Sequence, residues 1–157
     1  MDEMSKIVKT MTRLLYGFIL IYGLYVIMHG HLTPGGGFQG GAIVASGFAL
    51  LLVAYGTTGL RGRLKHSLFS FFESFGAISF ISLAFAGIGT TFFYNLLAGS
   101  GSLLFGETLP QLGANPGDLN TAGTITLMNL AVGIKVLAGL GTVILLLSYA
   151  SVEEESQ

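Results

Sequence analysis

The sequence predicts an all-α membrane protein with four transmembrane helices. Of its 157 residues, 52% are hydrophobic and only 10% are charged, whereas soluble domains carry about 25% charged residues. The mean hydropathy is +0.75. Mostly apolar segments of the length that spans a bilayer, about 20 residues, occur four times and leave no room for a soluble domain. We therefore predict a single integral membrane domain over residues 1–157, with spans at about 7–28, 36–55, 71–97 and 124–149.

Basic residues are distributed unevenly between the ends of these spans. The N-terminal arm and the link between the second and third spans carry them, and the other two links carry none. Basic loops stay on the cytoplasmic side of a membrane, and acidic residues contribute little to this preference. We therefore predict that both termini are cytoplasmic. The residues that carry this prediction are Lys6, Lys9, Arg13, Arg61, Arg63 and Lys65.

A glycine-rich segment joins the first two spans and continues into the second. Gly37, Gly41 and Ala45 recur every fourth position, so they lie on one face of a helix. Glycine weakens a helix in water by roughly 1 kcal/mol relative to alanine, but in membranes small residues allow two helices to pack closely. We predict that these residues, together with Gly40, form helix-packing contacts.

His29 and His31 stand at the start of this segment. Histidine titrates near physiological pH, so a role in proton uptake or release at the external surface is one interpretation. The second is structural, with both rings hydrogen-bonded to the glycine backbone near the membrane surface. The third is a metal site, which requires further ligands that the sequence does not reveal.

Lys135 is the most informative single residue. It lies eleven residues from Thr124 and fourteen from Tyr149, and therefore near the bilayer midplane. A charge at that depth costs about 2.5–3.5 kcal/mol on insertion scales, and such residues face protein or water and often mark ion pathways. Lys135 is therefore expected to point at a neighbouring protein of the same assembly, either beside an ion route or in a structural ion pair.

Glu73 and Asn129 are the other polar candidates within the spans. With the third span centred near Leu83, Glu73 lies about 15 Å from the midplane, so we expect no direct pair with Lys135. It is predicted to be an interfacial carboxylate near the basic link, paired with Arg63, Lys65 or His66, or alternatively a proton relay. Asn129 is expected to make an interhelical hydrogen bond.

Several classes of function are excluded or disfavoured. The net charge is −1 with seven basic residues, which argues against binding nucleic acid. The chain has no cysteine, so zinc–thiolate and iron–sulfur sites cannot be built from it alone, and any redox role belongs to partners. No nucleophile with an adjacent base and no paired carboxylates appear. We predict a chain that binds no cofactor and is not an enzyme by itself.

Two runs resemble a known family. The residues from His31 to Ala45, HLTPGGGFQGGAIVA, closely resemble the signature of the MnhB/MrpB family, which are components of multisubunit Na⁺/H⁺ antiporters. The residues from Thr124 to Val136, TITLMNLAVGIKV, and the order of four spans are similar to that family as well. Related subunits occur in archaeal membrane-bound complexes of the hydrogenase and sulfur-reductase type.

The resemblance implies an accessory, multi-pass subunit of a Na⁺/proton-translocating complex in a prokaryotic cell membrane, whose partners are other membrane subunits and lipid. An acidic residue is frequent in the antiporters near the position of Asn129, and Lys135 is not general among them, which favours the hydrogenase-type respiratory branch. Two alternatives stay open. The chain could be a scaffold with no part in the ion path, or the MnhB component of a stand-alone antiporter.

Overall fold

The structure is a computed structural model that describes residues 4–32, 36–60, 66–86, 91–97 and 122–154. Within these ranges each regular element is an α-helix, and all four are long and apolar enough to cross a membrane, which confirms the predicted class. The basic residues of the second link and most of the third link lie outside the described residues, so the orientation of the termini stays a prediction. The helices are α1 (Lys6–Met28), α2 (Gly36–Leu60), α3 (His66–Phe85) and α4 (Thr124–Glu154).

Helix α3 differs from the predicted third span, 71–97. It begins earlier, at His66, and ends at Phe85, while residues 91–97 form turns. The aromatic residues that made this run look like one continuous span instead fold back onto the end of the helix. Phe92 packs on Phe85 with ring centroids 5.0 Å apart, and Phe93 packs on Phe80 at 5.9 Å. Hydropathy cannot distinguish such a turn from further helix, because both are rich in apolar side chains.

Helix α4 is the centre of the bundle, since α1, α2 and α3 all pack against it. Helix α1 lies mainly on α2, and α3 lies mainly on α4. The described residues of α2 and α3 touch through an edge-to-face pair of Phe48 and Phe69, whose ring centroids are 5.8 Å apart. Near its end α2 bends at Gly56, where φ is 69°, a conformation that favours glycine.

Glycines bring α2 close to its neighbours on two sides. A Cβ atom added at Gly37 would lie 2.5 Å from the carbonyl oxygen of Asn129, and one added at Gly41 would lie 2.8 Å from that of Gly133, both on α4. On the other side, a Cβ at Gly40 would lie 2.5 Å from the side chain of Ile27 on α1. The helix backbones are thus in contact at distances that a side chain would not permit.

The first turn of α4 is capped by a side chain from a distant part of the sequence. Asn95 Oδ1 accepts hydrogen bonds from the backbone N–H and the hydroxyl of Thr124, both at 2.8 Å. Asn95 Nδ2 donates to the carbonyl oxygen of Ala122 at 2.9 Å. No local sequence pattern indicated this contact, which satisfies backbone groups that the helix itself leaves open.

Replacing this cap tests its contribution to stability. We expect Asn95→Ala to lower the free energy of unfolding by about 1–2 kcal/mol, since helix caps contribute about that much, and to lower the Tm of the protein in detergent. Asn95→Asp keeps the acceptor for Thr124 and places a negative charge at the helix N-terminus, which is favourable, so its loss should be smaller. An unchanged Tm for Asn95→Ala would contradict the cap.

Candidate functional site in the membrane span

Glu73 of α3 and Lys135 of α4 form an ion pair, with Lys135 Nζ 3.8 Å from Glu73 Oε1. Glu73 lies near the middle of His66–Phe85, and Lys135 lies near the middle of the apolar span Thr124–Ala150. At 1.5 Å per residue, each is within about 4 Å of the centre of its apolar span. The structure therefore places two opposite charges together at mid-membrane depth.

This pair shows that the sequence-based prediction of no direct contact was wrong. The error came from the limits of the third span, because a span of 71–97 places Glu73 near one end. Since α3 begins at His66 and ends at Phe85, Glu73 moves to the middle. Among the described residues, Lys135 and Gly139 of α4 face its carboxylate, and Arg63 and Lys65 of the basic link lie outside the described residues.

Two glycines allow the helices that carry the pair to approach each other. A Cβ at Gly76 of α3 would lie 2.8 Å from the backbone nitrogen of Lys135 and 2.9 Å from its Cβ. On α4, a Cβ at Gly139 would lie 3.4 Å from Glu73 Oε1. The Glu73 carboxylate thus lies over Gly139, and the stem of the Lys135 side chain lies over Gly76.

The described part of the chain does not enclose the pair. The Lys135 and Glu73 side chains are 47% and 41% exposed, and the 3.8 Å separation is longer than the 2.7–2.9 Å of a charge-assisted hydrogen bond. Space for another polar group or a water molecule therefore exists beside the charges. Since ionised groups in contact with hydrocarbon are costly, the arrangement favours a protein or aqueous neighbour on the outer side of α3 and α4.

The other sequence-predicted site residues form a second group, at the opposite end of α1 from its basic residues. The ring of His29 stacks on that of Tyr25 with centroids 4.2 Å apart, and both His29 and His31 are partly buried. Between these histidines lies Gly30, where a Cβ atom would come within 3.0 Å of the Asn129 side-chain amide. Within the described residues, no group of three or more His, Cys, Asp or Glu side chains could hold a metal ion.

At the other end of α1, the structure adds a contact that the sequence pattern did not indicate. The Nε of Arg13 donates a hydrogen bond to the hydroxyl of Tyr55 at 2.6 Å, and the ammonium of Lys9 lies 5.7 Å from the centre of the same ring. Such cation–π contacts attract a basic side chain to the face of an aromatic ring. Tyr55 directly precedes the bend at Gly56, so this contact marks the end of the α2 span.

Comparison with known proteins identifies relatives of this chain. The domain related to the MnhB subunit of Na⁺/H⁺ antiporters matches residues 7–142. An uncharacterized protein of Methanocaldococcus jannaschii is 35% identical over 148 residues, which are 93% of this chain and 53% of that protein. A Na⁺/H⁺ antiporter subunit of Bacillus subtilis is 36% identical over 100 residues, which are 64% of this chain and 59% of that protein.

A solved structure is also similar. A chain in the membrane-bound sulfane sulfur reductase, an archaeal respiratory membrane complex, matches with a TM-score of 0.75 and 28% identity, covering 93% of this chain and 59% of that chain. The present chain thus spans between half and three-fifths of the length of these relatives. The resemblance inferred from the sequence is confirmed. With four apolar helices and a family match over most of its length, the chain is a multi-pass membrane protein that belongs to the family of the MnhB-related domain of Na⁺/H⁺ antiporters.

Proposed function

We propose that this chain is an accessory subunit of a multisubunit Na⁺/proton-translocating complex, within a respiratory assembly of the membrane-bound hydrogenase type. In this proposal its partners are other membrane subunits, and it binds no cofactor and catalyses no reaction by itself. The similarity to a chain of an archaeal respiratory membrane complex over 93% of this chain supports the respiratory setting. The similarity to an antiporter subunit of Bacillus subtilis supports the alternative of a stand-alone antiporter.

The observation that carries the proposal is the Glu73–Lys135 pair. Two charges in the middle of the spans, each nearly half exposed, are costly in lipid, and ionisable residues at this depth mark proton relays and ion pathways. A purely structural scaffold could join its helices through glycine contacts alone, as α1 and α2 do at Gly40. We therefore place the pair beside the ion route of the complex. His29, His31 and Asn129 form a second polar group, at the end of α1 that is opposite its basic residues.

Removing both charges together tests this role. In the double variant Glu73→Gln, Lys135→Met no charge is left alone in the membrane, so we expect the complex to assemble at close to the wild-type level. Na⁺ and proton movement in vesicles should fall at least tenfold, because the charges beside the route are gone. Assembly is measured by the subunits that copurify with the chain, and transport by ion-sensitive dyes.

The matched control is Val143→Met, which introduces the same side chain at an exposed position of α4 without touching the pair. We expect it to transport like the wild type. Normal transport by the double variant would contradict a role beside the ion route. The alternative of a structural scaffold would then remain. The identity of the copurified subunits separates the two settings, since a respiratory assembly brings redox subunits and a stand-alone antiporter brings none.

A further inference from the structure

One face of α3 carries polar side chains along the first half of the helix. Ser67, Ser70 and Ser74 are exposed, as is His66 at the first position. The three serines are spaced by three and four residues, and Glu73 follows Ser70 by three, so all four side chains lie on one side of the helix. The exposed Phe71, four residues after Ser67, borders them. This polar face therefore runs from the N-terminal end of α3 to the ion pair, over about 9 Å from Ser67 to Glu73.

The serine hydroxyls are not all occupied by their own helix. Serine and threonine inside helices commonly donate to a carbonyl oxygen three or four residues earlier, as Ser46, Thr142 and Ser148 do here at 2.7–3.0 Å. Ser70 and Ser74 make no such bond among the described residues. Their hydroxyls are therefore available to water or to a neighbouring molecule.

The polar face stops at the pair. Along the same side of α3 the next positions are Ala77, Ile81 and Ala84, which are apolar, and Ile81 is 53% exposed. On α4 the neighbours of Lys135 on that side are Met128 and Ala131. On this side of α3, hydroxyls thus lead to the pair from the N-terminal end and apolar side chains follow beyond it. The serines of the second half, Ser79 and Ser82, lie off this line.

We infer that this polar face lines a one-sided, water-filled path that brings protons to Glu73 from the N-terminal end of α3, closed on its outer side by another subunit. This inference rests on the proposed function, in which the pair lies beside the ion route. Protons fit better than Na⁺, because Na⁺ needs several coordinating oxygens, and the Lys135 ammonium 3.8 Å away already occupies one side of the carboxylate. A proton needs only hydroxyls and water to reach the carboxylate.

Cysteine reactivity tests the path directly, because the chain has no cysteine of its own. Ser70→Cys and Ser74→Cys are expressed separately in the assembled complex and treated in membranes with a charged methanethiosulfonate reagent, which reacts with the thiolate that forms in water. Modification is measured by a mass-tag gel shift of this chain. We expect both to react at least tenfold faster than Phe75→Cys, a control at the same depth on the exposed apolar side of α3.

Ile81→Cys is the second control, since it lies seven residues beyond Ser74 on the same side of the helix and past the pair. It should be as unreactive as Phe75→Cys. If Ile81→Cys reacted as fast as Ser70→Cys and Ser74→Cys, the path would not be one-sided. If neither Ser70→Cys nor Ser74→Cys reacted, the interface would be dry and the path would be overturned altogether.

A pair of near-isosteric variants then tests whether the hydroxyl matters. Ser74→Val is expected to slow proton movement in vesicles at least threefold, whereas Ser74→Thr, which keeps the hydroxyl, should not. Equal rates for the two variants would overturn the role of the hydroxyl. The labelling does not depend on transport. Reactive Ser74→Cys together with normal transport by the double charge variant would refute the proposed function and leave the water path standing.

Discussion

Removing the carboxylate alone, with Glu73→Gln, is expected to reduce the amount of assembled complex at least tenfold. The substitution leaves the Lys135 ammonium without its partner 3.8 Å away. A single charge in the middle of a span costs about 2.5–3.5 kcal/mol on insertion scales. Even the lower value corresponds to more than a tenfold change. The measurement is the quantity of this chain that copurifies with its partner subunits from membranes.

The double variant Glu73→Gln, Lys135→Met is the internal control for this prediction. Because it removes the remaining charge, it should recover most of the assembly that Glu73→Gln loses, and the difference measures the coupling between the two residues. If Glu73→Gln assembled as well as the wild type, the ammonium would have another acceptor in the complex. In that case the pair would not be what holds the charge in the membrane.

This pair also shows where sequence reasoning succeeded and where it failed. The position of Lys135 near the midplane followed from the length of one apolar run, because the ends of α4 are close to the ends of that run. The depth of Glu73 did not follow, since Phe92 and Phe93 extended the apparent span of α3 beyond its true end. The error therefore lay in where the aromatic-rich chain turns. It placed Glu73 near one end of its span instead of near the middle.

Contacts between distant segments were the other part that the sequence could not supply. The glycine spacing on α2 indicated close packing, but not that Gly37 and Gly41 face α4 while Gly40 faces α1. Likewise, Asn95 was one asparagine in an apolar stretch, and its bonds to Thr124 depend on the turns that bring residues 91–97 to the start of α4. Local pattern predicts which residues are suited to a contact, and the fold decides the partner.

The packing of α1 on α2 predicts that Gly40→Ala, which adds a single methyl group, strongly reduces the amount of the chain in membranes. The new Cβ would lie 2.5 Å from Ile27 Cγ1 and 2.7 Å from the carbonyl oxygen of Gly23, and the second of these is backbone that no side-chain rotation can move. The helices must therefore separate, and overpacking of this kind costs about 1–3 kcal/mol, occasionally more. We therefore expect the amount of the chain in membranes to fall about fivefold or more, measured by immunoblot.

The matched control is the same substitution at Gly17 of α1, where a Cβ would meet nothing within 4 Å. Alanine favours a helix over glycine by roughly 1 kcal/mol, so Gly17→Ala should leave the amount of protein unchanged or raise it. The two variants have the same chemistry and differ in whether another backbone occupies the space. Equal amounts of protein from Gly40→Ala and Gly17→Ala would mean that α1 and α2 are not held in backbone contact in the membrane, and the glycine-rich start of α2 would then need another explanation.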